Sequence, residues 1–354
     1  MQGLNPLTVS VIILNFNGAR FVSDCIQSIL LQTVTPHQII FCDDASQDNS
    51  IEVASSFRNI SIVSQPLNIG PLHNAIAGIS RSICDILFFI DSDDLWEIDK
   101  IEQCLRLYRS NPLVILASHG HTHVNESNNE LPINDATHRN IAEINKLTTD
   151  ISHRSELYKE SILLRKGGFW LGSAYSFRRS ALDLDKFSCL VENIPSSRLA
   201  YADLVLAPYI VYTNPHGLVT YSSDTLLRYR RHYSNATPET DNVNTKLSTI
   251  TRIRQTNACT LSIFTALQSA DASLSVVTRR YRDIEMDYDY LTSIYLGRRL
   301  HSILSFFLLL KYFFTEKKLI KESVRCTLLL LFGPTTLCRL QHRRQVKTLG
   351  TPAL

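Results

Sequence analysis

No glycine-rich phosphate loop, no paired-cysteine motif and no long apolar run appears in this sequence, and each absence removes a class of protein. Neither GxGxxG nor GxxxxGK(S/T) occurs, so the loops that cradle phosphate in dinucleotide enzymes and P-loop proteins are missing. The eight cysteines (Cys25, Cys42, Cys84, Cys104, Cys189, Cys259, Cys326, Cys338) lack CxxC spacing and mostly sit in apolar stretches. That argues against a zinc ribbon or a disulfide framework and predicts a reducing, cytoplasmic setting. Strand-like sequence begins within ten residues of the N-terminus, with no basic and apolar leader before it, so export is not expected. The apolar runs fall short of the roughly 18 uninterrupted residues of a spanning helix.

What remains is a 354-residue chain with 44% hydrophobic and 19% charged residues, enough for one large core or two smaller ones. Charge is unevenly spread. From Gly297 onward eleven Lys and Arg face two Glu, so that stretch carries about +9 and the rest about −6 of the formal +3. The polar stretch from Ser234 to Thr256, with Pro238 and several Asn and Thr, predicts a boundary. Two regions are expected: an α/β domain over 1–235 and a basic, helical C-terminal region over 236–354.

The first hundred residues alternate two hydrophobic periods. Val9–Leu14, Gln38–Cys42, Ile60–Val63 and Ile86–Ile90 are short β-rich runs, whereas Phe21–Leu31, Ile51–Phe57 and Leu72–Ser80 have helical spacing. Such a βαβαβαβ series predicts a mostly parallel sheet flanked by helices, with ligands bound outside the carboxyl ends of the strands. At those ends stand Asn15-Phe16-Asn17-Gly18, Asp43-Asp44-Ala45-Ser46-Gln47-Asp48 and Asp91-Ser92-Asp93-Asp94. With no glycine loop to neutralise phosphate, two carboxylates at i and i+2 point to a hard divalent cation that bridges a diphosphate. A plainer account is also open: the aspartates cap the helix expected over Ile98–Arg109, and Asp43–Asp48 forms an Asx turn before another.

The ordered series SVIILNFNGARFVSDCIQSILLQT, IIFCDDASQDNS, NIGPLHNAI, FFIDSDDLW, GSAYSFRRSAL, YADLVLAPYI and LLRYRRHYSN resembles the family 2 glycosyltransferases over roughly residues 7 to 235. The resemblance implies a GT-A fold and inverting transfer of a single sugar, most simply UDP-linked, to a saccharide or lipid-linked acceptor. It implies that Asp43 hydrogen-bonds the nucleotide base beside Leu14 and Asn15, with Asn17, Asp44, Asn74 and Ser92 completing the donor pocket. Asp91 and Asp93 fill the DxD positions that contact ribose and, through Mn²⁺ or Mg²⁺, the diphosphate; Asp94 shares the metal. Asp203 stands where the family has its catalytic base, and the RYRRH stretch either places Arg230 or His232 near the diphosphate, His232 as a metal ligand, or is a solvated basic turn.

This chain departs from the family at three places: Ala202 replaces the glutamate before the base, Ala45 the glycine after the aspartate pair, and His73 an arginine before Asn74. No QxxRW motif appears, which disfavours a processive synthase. A second class therefore stays open, a nucleotide-sugar-binding protein of the same fold without catalysis. His119, His121 and His123 alternate on an expected strand, where they either hold zinc or line the acceptor side. Trp96 and Trp170 are read as packing residues. In the tail, Ile303–Phe314 and Cys326–Phe332 are apolar runs flanked by Lys317, Lys318, Lys321, Arg325, Arg339, Arg343 and Arg344. That pattern fits helices lying on an anionic membrane surface, or else a helical subdomain packed on protein. Nucleic acid is not an expected partner, because no reader motif accompanies the charge.

Overall fold

The computed structural model describes residues 6–132, 136–165, 172–232, 235, 242–268 and 275–296, together with 302, 325 and 334. Trp170 and the apolar runs at 303–314 and 326–332 lie outside them. The chain separates into two compact units, 1–230 and 231–354.

The first unit opens with β1 (Val9–Asn15), α1 (Ala19–Leu30), β2 (Gln38–Asp43), α2 (Ser50–Ser55), β3 (Ile60–Ser64), α3 (Pro71–Arg81) and β4 (Ile86–Asp91). β1 and β4 are runs of large or β-branched apolar residues, buried on both faces as strands covered by helices on each side must be. α1 buries Phe21, Val22, Cys25, Ile26 and Ile29, one stripe at helical spacing, and each such side chain contributes about 1.5–3 kcal/mol when fully buried. α3 begins with Pro71 in its first turn, where a missing N–H costs nothing, and stops where Ser82 turns extended.

There follow β5 (Leu95–Trp96), α4 (Lys100–Ser110), β6 (Val114–Val124), β7 (Glu130–Leu131), α5 (Ala136–Leu147), α6 (Ile151–Leu163), β8 (Tyr175–Arg178), α7 (Leu184–Glu192), α8 (Asp203–Thr213) and β9 (Leu218–Arg230). The sheet runs β3-β2-β1-β4-β8-β6-β9-β5, with β7 on β6. The parallel arrangement holds from β3 to β4. Beyond β4 the sheet is mixed, because β8 is antiparallel to both β4 and β6 while β6 and β9 are parallel.

One connection constrains the sheet's shape. Asp91 ends β4 and Leu95 opens β5, yet β8, β6 and β9 stand between those strands. Four residue steps span at most about 14 Å, whereas four strand spacings in a flat sheet need about 19 Å. This half must curl back, and β5 accordingly lies against α1. The three residues that make the short link are Ser92, Asp93 and Asp94, so the curl and the acidic loop are one feature.

The second unit contains α9 (Val243–Gln268) and α10 (Ser275–Tyr295), which pack on each other. Phe264 meets Tyr281 with ring centroids 5.8 Å apart, and Arg254 pairs with Glu285 and Asp289. Among the described residues no helix is long and apolar enough to cross a membrane.

Candidate functional site

The ends of β1 and β2 are tied by one polar network. Asn15 Nδ2 donates to Asp43 Oδ1 (2.7 Å) and to Ser46 Oγ (3.0 Å); Ser46 returns its hydroxyl to Asp43 Oδ1 (2.6 Å) and its amide to Asp43 Oδ2 (2.9 Å). Ser92 Oγ donates to Asn15 Oδ1 (2.6 Å), and Ser92 N donates to the Leu14 carbonyl (2.9 Å), which joins the β4 end to the same network. Asp43 is 0% exposed and Asp44 3%. Asp44 accepts from Ile69 N (2.7 Å) and Gly70 N (2.9 Å), and burial raises its pKa despite those donors. Both carboxylates are buried in this network, and the Asp43 side chain, expected to contact the base, is bonded to Asn15 and Ser46.

Asn74 is buried likewise. Its Nδ2 donates to the Cys42 carbonyl (2.8 Å), and its Oδ1 has no hydrogen-bond partner. Exposed groups at this rim include Phe16, 53% exposed, and Asn17, whose Oδ1 accepts from Gln47 N (2.8 Å). Ala45 holds a φ of +61° and Asn17 one of +53°. For alanine this is a strained, left-handed conformation, at the position where the family carries glycine.

Three carboxylates meet at the end of β4. One oxygen from each of Asp91, Asp93 and Asp94 lies within 4.8 Å of the others, and among the described residues this is the one group of His, Cys, Asp or Glu arranged to share a cation. Hard carboxylate oxygens suit Mn²⁺ or Mg²⁺. The crowding has an electrostatic signature: Asp91 is pushed up to about 8, by burial first and then by Asp93 and Asp203. Asp94, fully buried, is likewise raised well above the usual carboxylate range, by burial first and then by Asp93 and Asp91. Its Oδ1 accepts the Arg230 N–H (3.0 Å).

Arg230 therefore reaches the rim by its backbone. Its guanidinium is 4.6 Å from the centroid of the Phe21 ring, 3.2 Å from Asp24 Oδ2 and 3.3 Å from the Glu126 carbonyl, with 2% of the residue exposed. The contact to a diphosphate expected of that side chain has no open surface. His232 belongs to the second unit, where its amide donates to Asn235 Oδ1 (2.5 Å); the carboxylate group does not include it.

Asp203 opens α8, where an acid suits the helix N-terminus. It also faces the acidic rim. A Cβ placed on Gly172 would lie 3.9 Å from Asp203 Cγ and 3.9 Å from Asp91 Oδ2, so both carboxyl groups border one space beside that glycine. Burial raises the Asp203 pKa to about 6. Behind Gly172, Ser173 Oγ accepts the Asp91 N–H (2.9 Å) and the Ser173 carbonyl accepts the Lys100 ammonium (2.5 Å). Lys100 is buried over the Trp96 ring (4.0 Å), and burial lowers its pKa to about 7. Trp96 is a packing residue, as expected from the sequence.

Sequence reasoning missed Phe16, Gly172, Ser173 and Lys100. Phe16 was findable as an aromatic between two polar strand-end residues; the other three acquire meaning only through contacts across β4 and α4. His73, in place of arginine, sets Nε2 2.7 Å from Ser197 Oγ, and burial lowers its pKa. His119, His121 and His123 do lie on β6. His119 Nδ1 is 2.8 Å from the Gly120 carbonyl, and a register shift after His119 breaks the alternation, so the three do not present a zinc-ligand set.

Comparison with known proteins agrees with this geometry. Residues 10–177 match the family described as glycosyl transferase family 2. An uncharacterised glycosyltransferase of Nostoc sp. is 27% identical over 192 residues, covering 50% of this chain and 52% of that protein, so the match spans about half of the relative's length. The solved mannosyltransferase PcManGT from Pyrobaculum calidifontis, in complex with GDP-Man and Mn²⁺, superposes with a TM-score of 0.53 at 12% identity, over 98% of this chain and 88% of the other. S. aureus TarS 1-349 in complex with UDP-GlcNAc gives 0.51 at 12%, over 98% and 93%. At such identities the likeness speaks for the fold, which is GT-A. The likeness to glycosyl transferase family 2 is thus carried by residues 10–177, a little under half of the chain.

Proposed function

We propose that this chain transfers a sugar from a nucleotide-sugar donor to a saccharide or lipid-linked hydroxyl, with inversion at the anomeric carbon. The observation that carries the reading is the shared space beside Gly172: Asp91, of the acidic rim, borders it together with Asp203. Inverting transfer needs a leaving diphosphate on one side of the sugar and a proton acceptor on the other. Asp203 is the base, taking the acceptor's proton as its oxygen bonds to the anomeric carbon. Asp91, Asp93 and Asp94 would hold Mn²⁺ or Mg²⁺, which supplies positive charge against the negative charge growing on the diphosphate. Phe16 and Asn17 offer the open surface for the nucleobase, over walls fixed by Asp43, Asp44 and Asn15.

Neighbours of this fold solved with GDP-Man and UDP-GlcNAc support a nucleotide-sugar donor and leave the base open; UDP is our first choice. Assembly of a surface polysaccharide or glycolipid is the process we assign, with the basic C-terminal region as the contact to a lipid-linked acceptor. The test is calorimetric titration of UDP, GDP and dTDP with and without Mn²⁺, repeated on Asp93→Ala. Mn²⁺-dependent binding of one nucleotide, lost in the variant, is expected. A protein that binds none of the three under either condition would overturn the transferase reading.

A further inference from the structure

Where the Asp91 and Asp203 carboxyl groups approach each other, the chain presents a residue without a side chain, Gly172. We infer that Gly172 is the residue that admits the donor's sugar ring, and that the side-chain volume at 172 decides which sugar fits; this rests on the transferase reading above. Three observations carry it. A Cβ at 172 would lie 3.9 Å from Asp203 Cβ, 3.9 Å from Asp203 Cγ and 3.9 Å from Asp91 Oδ2, which is ordinary van der Waals contact. An alanine is therefore tolerated by the protein itself, and what it occupies is the space between the two carboxyl groups.

Nor can the backbone readily retreat from an added side chain. Ser173, 1% exposed, is held from both sides: its hydroxyl accepts the Asp91 N–H at 2.9 Å, and its carbonyl takes the ammonium of the fully buried Lys100. Lys100 is in turn packed on Trp96. Growth at 172 must go toward the Asp91 and Asp203 carboxyl groups, because the adjoining residue is pinned to the acidic rim and to α4. The glycine's own dihedral angles give no other reason for its presence, since Gly70 is the glycine with a positive φ among the described residues.

A donor has two parts, and the inference separates them. The nucleoside diphosphate is held at the rim by Asp91, Asp93 and Asp94, of which Asp91 alone borders position 172 and only at ordinary van der Waals distance, whereas the sugar must sit where Asp203 can reach the attacking hydroxyl. Gly172→Ala and Gly172→Val, made in the full chain, are titrated with UDP and GDP and with UDP-GlcNAc and GDP-mannose in the presence of Mn²⁺, with thermal melts alongside. The expected result is nucleoside diphosphate affinity unchanged within about twofold in Gly172→Ala, with sugar-nucleotide affinity lower by about ten- to hundredfold and lower again in Gly172→Val. Should the valine variant melt early, the alanine variant decides.

Variants that keep wild-type affinity for the sugar nucleotides overturn the inference, and so does a parallel loss of both ligand types. A wild-type protein that binds nucleoside diphosphate but rejects both sugar nucleotides also overturns it, while leaving the nucleotide site in place. Failure of the wild type to bind any nucleotide overturns the transferase reading and this inference with it.

Discussion

At the scale of single residues, Asp203 links stability to chemistry. Its pKa is raised from 3.8 to about 6 by burial, so the folded state holds this proton more tightly than the unfolded chain does. The associated stability is fully present below 3.8 and is lost as pH rises through about 6. Asp203→Asn removes that loss, and at neutral pH we expect it to gain roughly 1–2 kcal/mol, a figure discounted for the carboxyl's partial exposure, measured by urea unfolding. The same variant should bind nucleotide and fail to transfer sugar. For the wild type, only the carboxylate form accepts the acceptor's proton, so kcat/KM should climb with pH through about 6 and then level off. A flat profile across that range would remove Asp203 from the role of base. The acidic residues were legible in the sequence because like charges directly after buried strands demand a reason. Asp43 and Asp44 were legible as site residues but not as buried wall residues, since only the folded chain shows Ser46, Ile69 and Gly70 turning their amides onto them.

At the scale of elements, the parallel half was readable and the mixed half was not. β1 to β4 alternate with helices along the chain, so periodicity alone predicts these elements and their parallel sheet, though not that β4 pairs with β1. β8 has four residues and β5 two, too short to carry a period, and their partners lie far along the chain. The turn before α3 is a second feature hidden from sequence. Gly70 has a φ of +89°, and a Cβ there would fall 1.7 Å from the Arg198 carbonyl oxygen. Its amide also donates to Asp44. Gly70→Ala combines backbone strain with a clash against main chain, and a loss of about 2–4 kcal/mol in urea unfolding is expected, together with weaker nucleotide binding as Asp44 loses its donors. Unchanged stability would mean that the 195–199 turn yields more easily than its packing on α3 suggests.

For the whole molecule, charge and connectivity matter more than any one contact. The last 58 residues carry the eleven Lys and Arg against two Glu, on a chain whose remainder is acidic. If that region meets an anionic surface, the full chain should co-sediment with phosphatidylglycerol vesicles and not with phosphatidylcholine ones, and raising salt from about 0.1 to 1 M should release it as the Debye length shrinks from about 10 to 3 Å. Binding to neither vesicle type would assign the basic region to protein packing instead. The short link from β4 to β5 bears on how the protein is made. Asp94 is clamped by the amide of Arg230, 136 residues later, and Leu95 pairs with Arg228. During synthesis at about 5–20 residues per second, the three aspartates wait on the order of ten seconds before those partners exist. The site's carboxylates are thus assembled at the end of folding of this unit, and a cation captured there reports a finished sheet and does not template it.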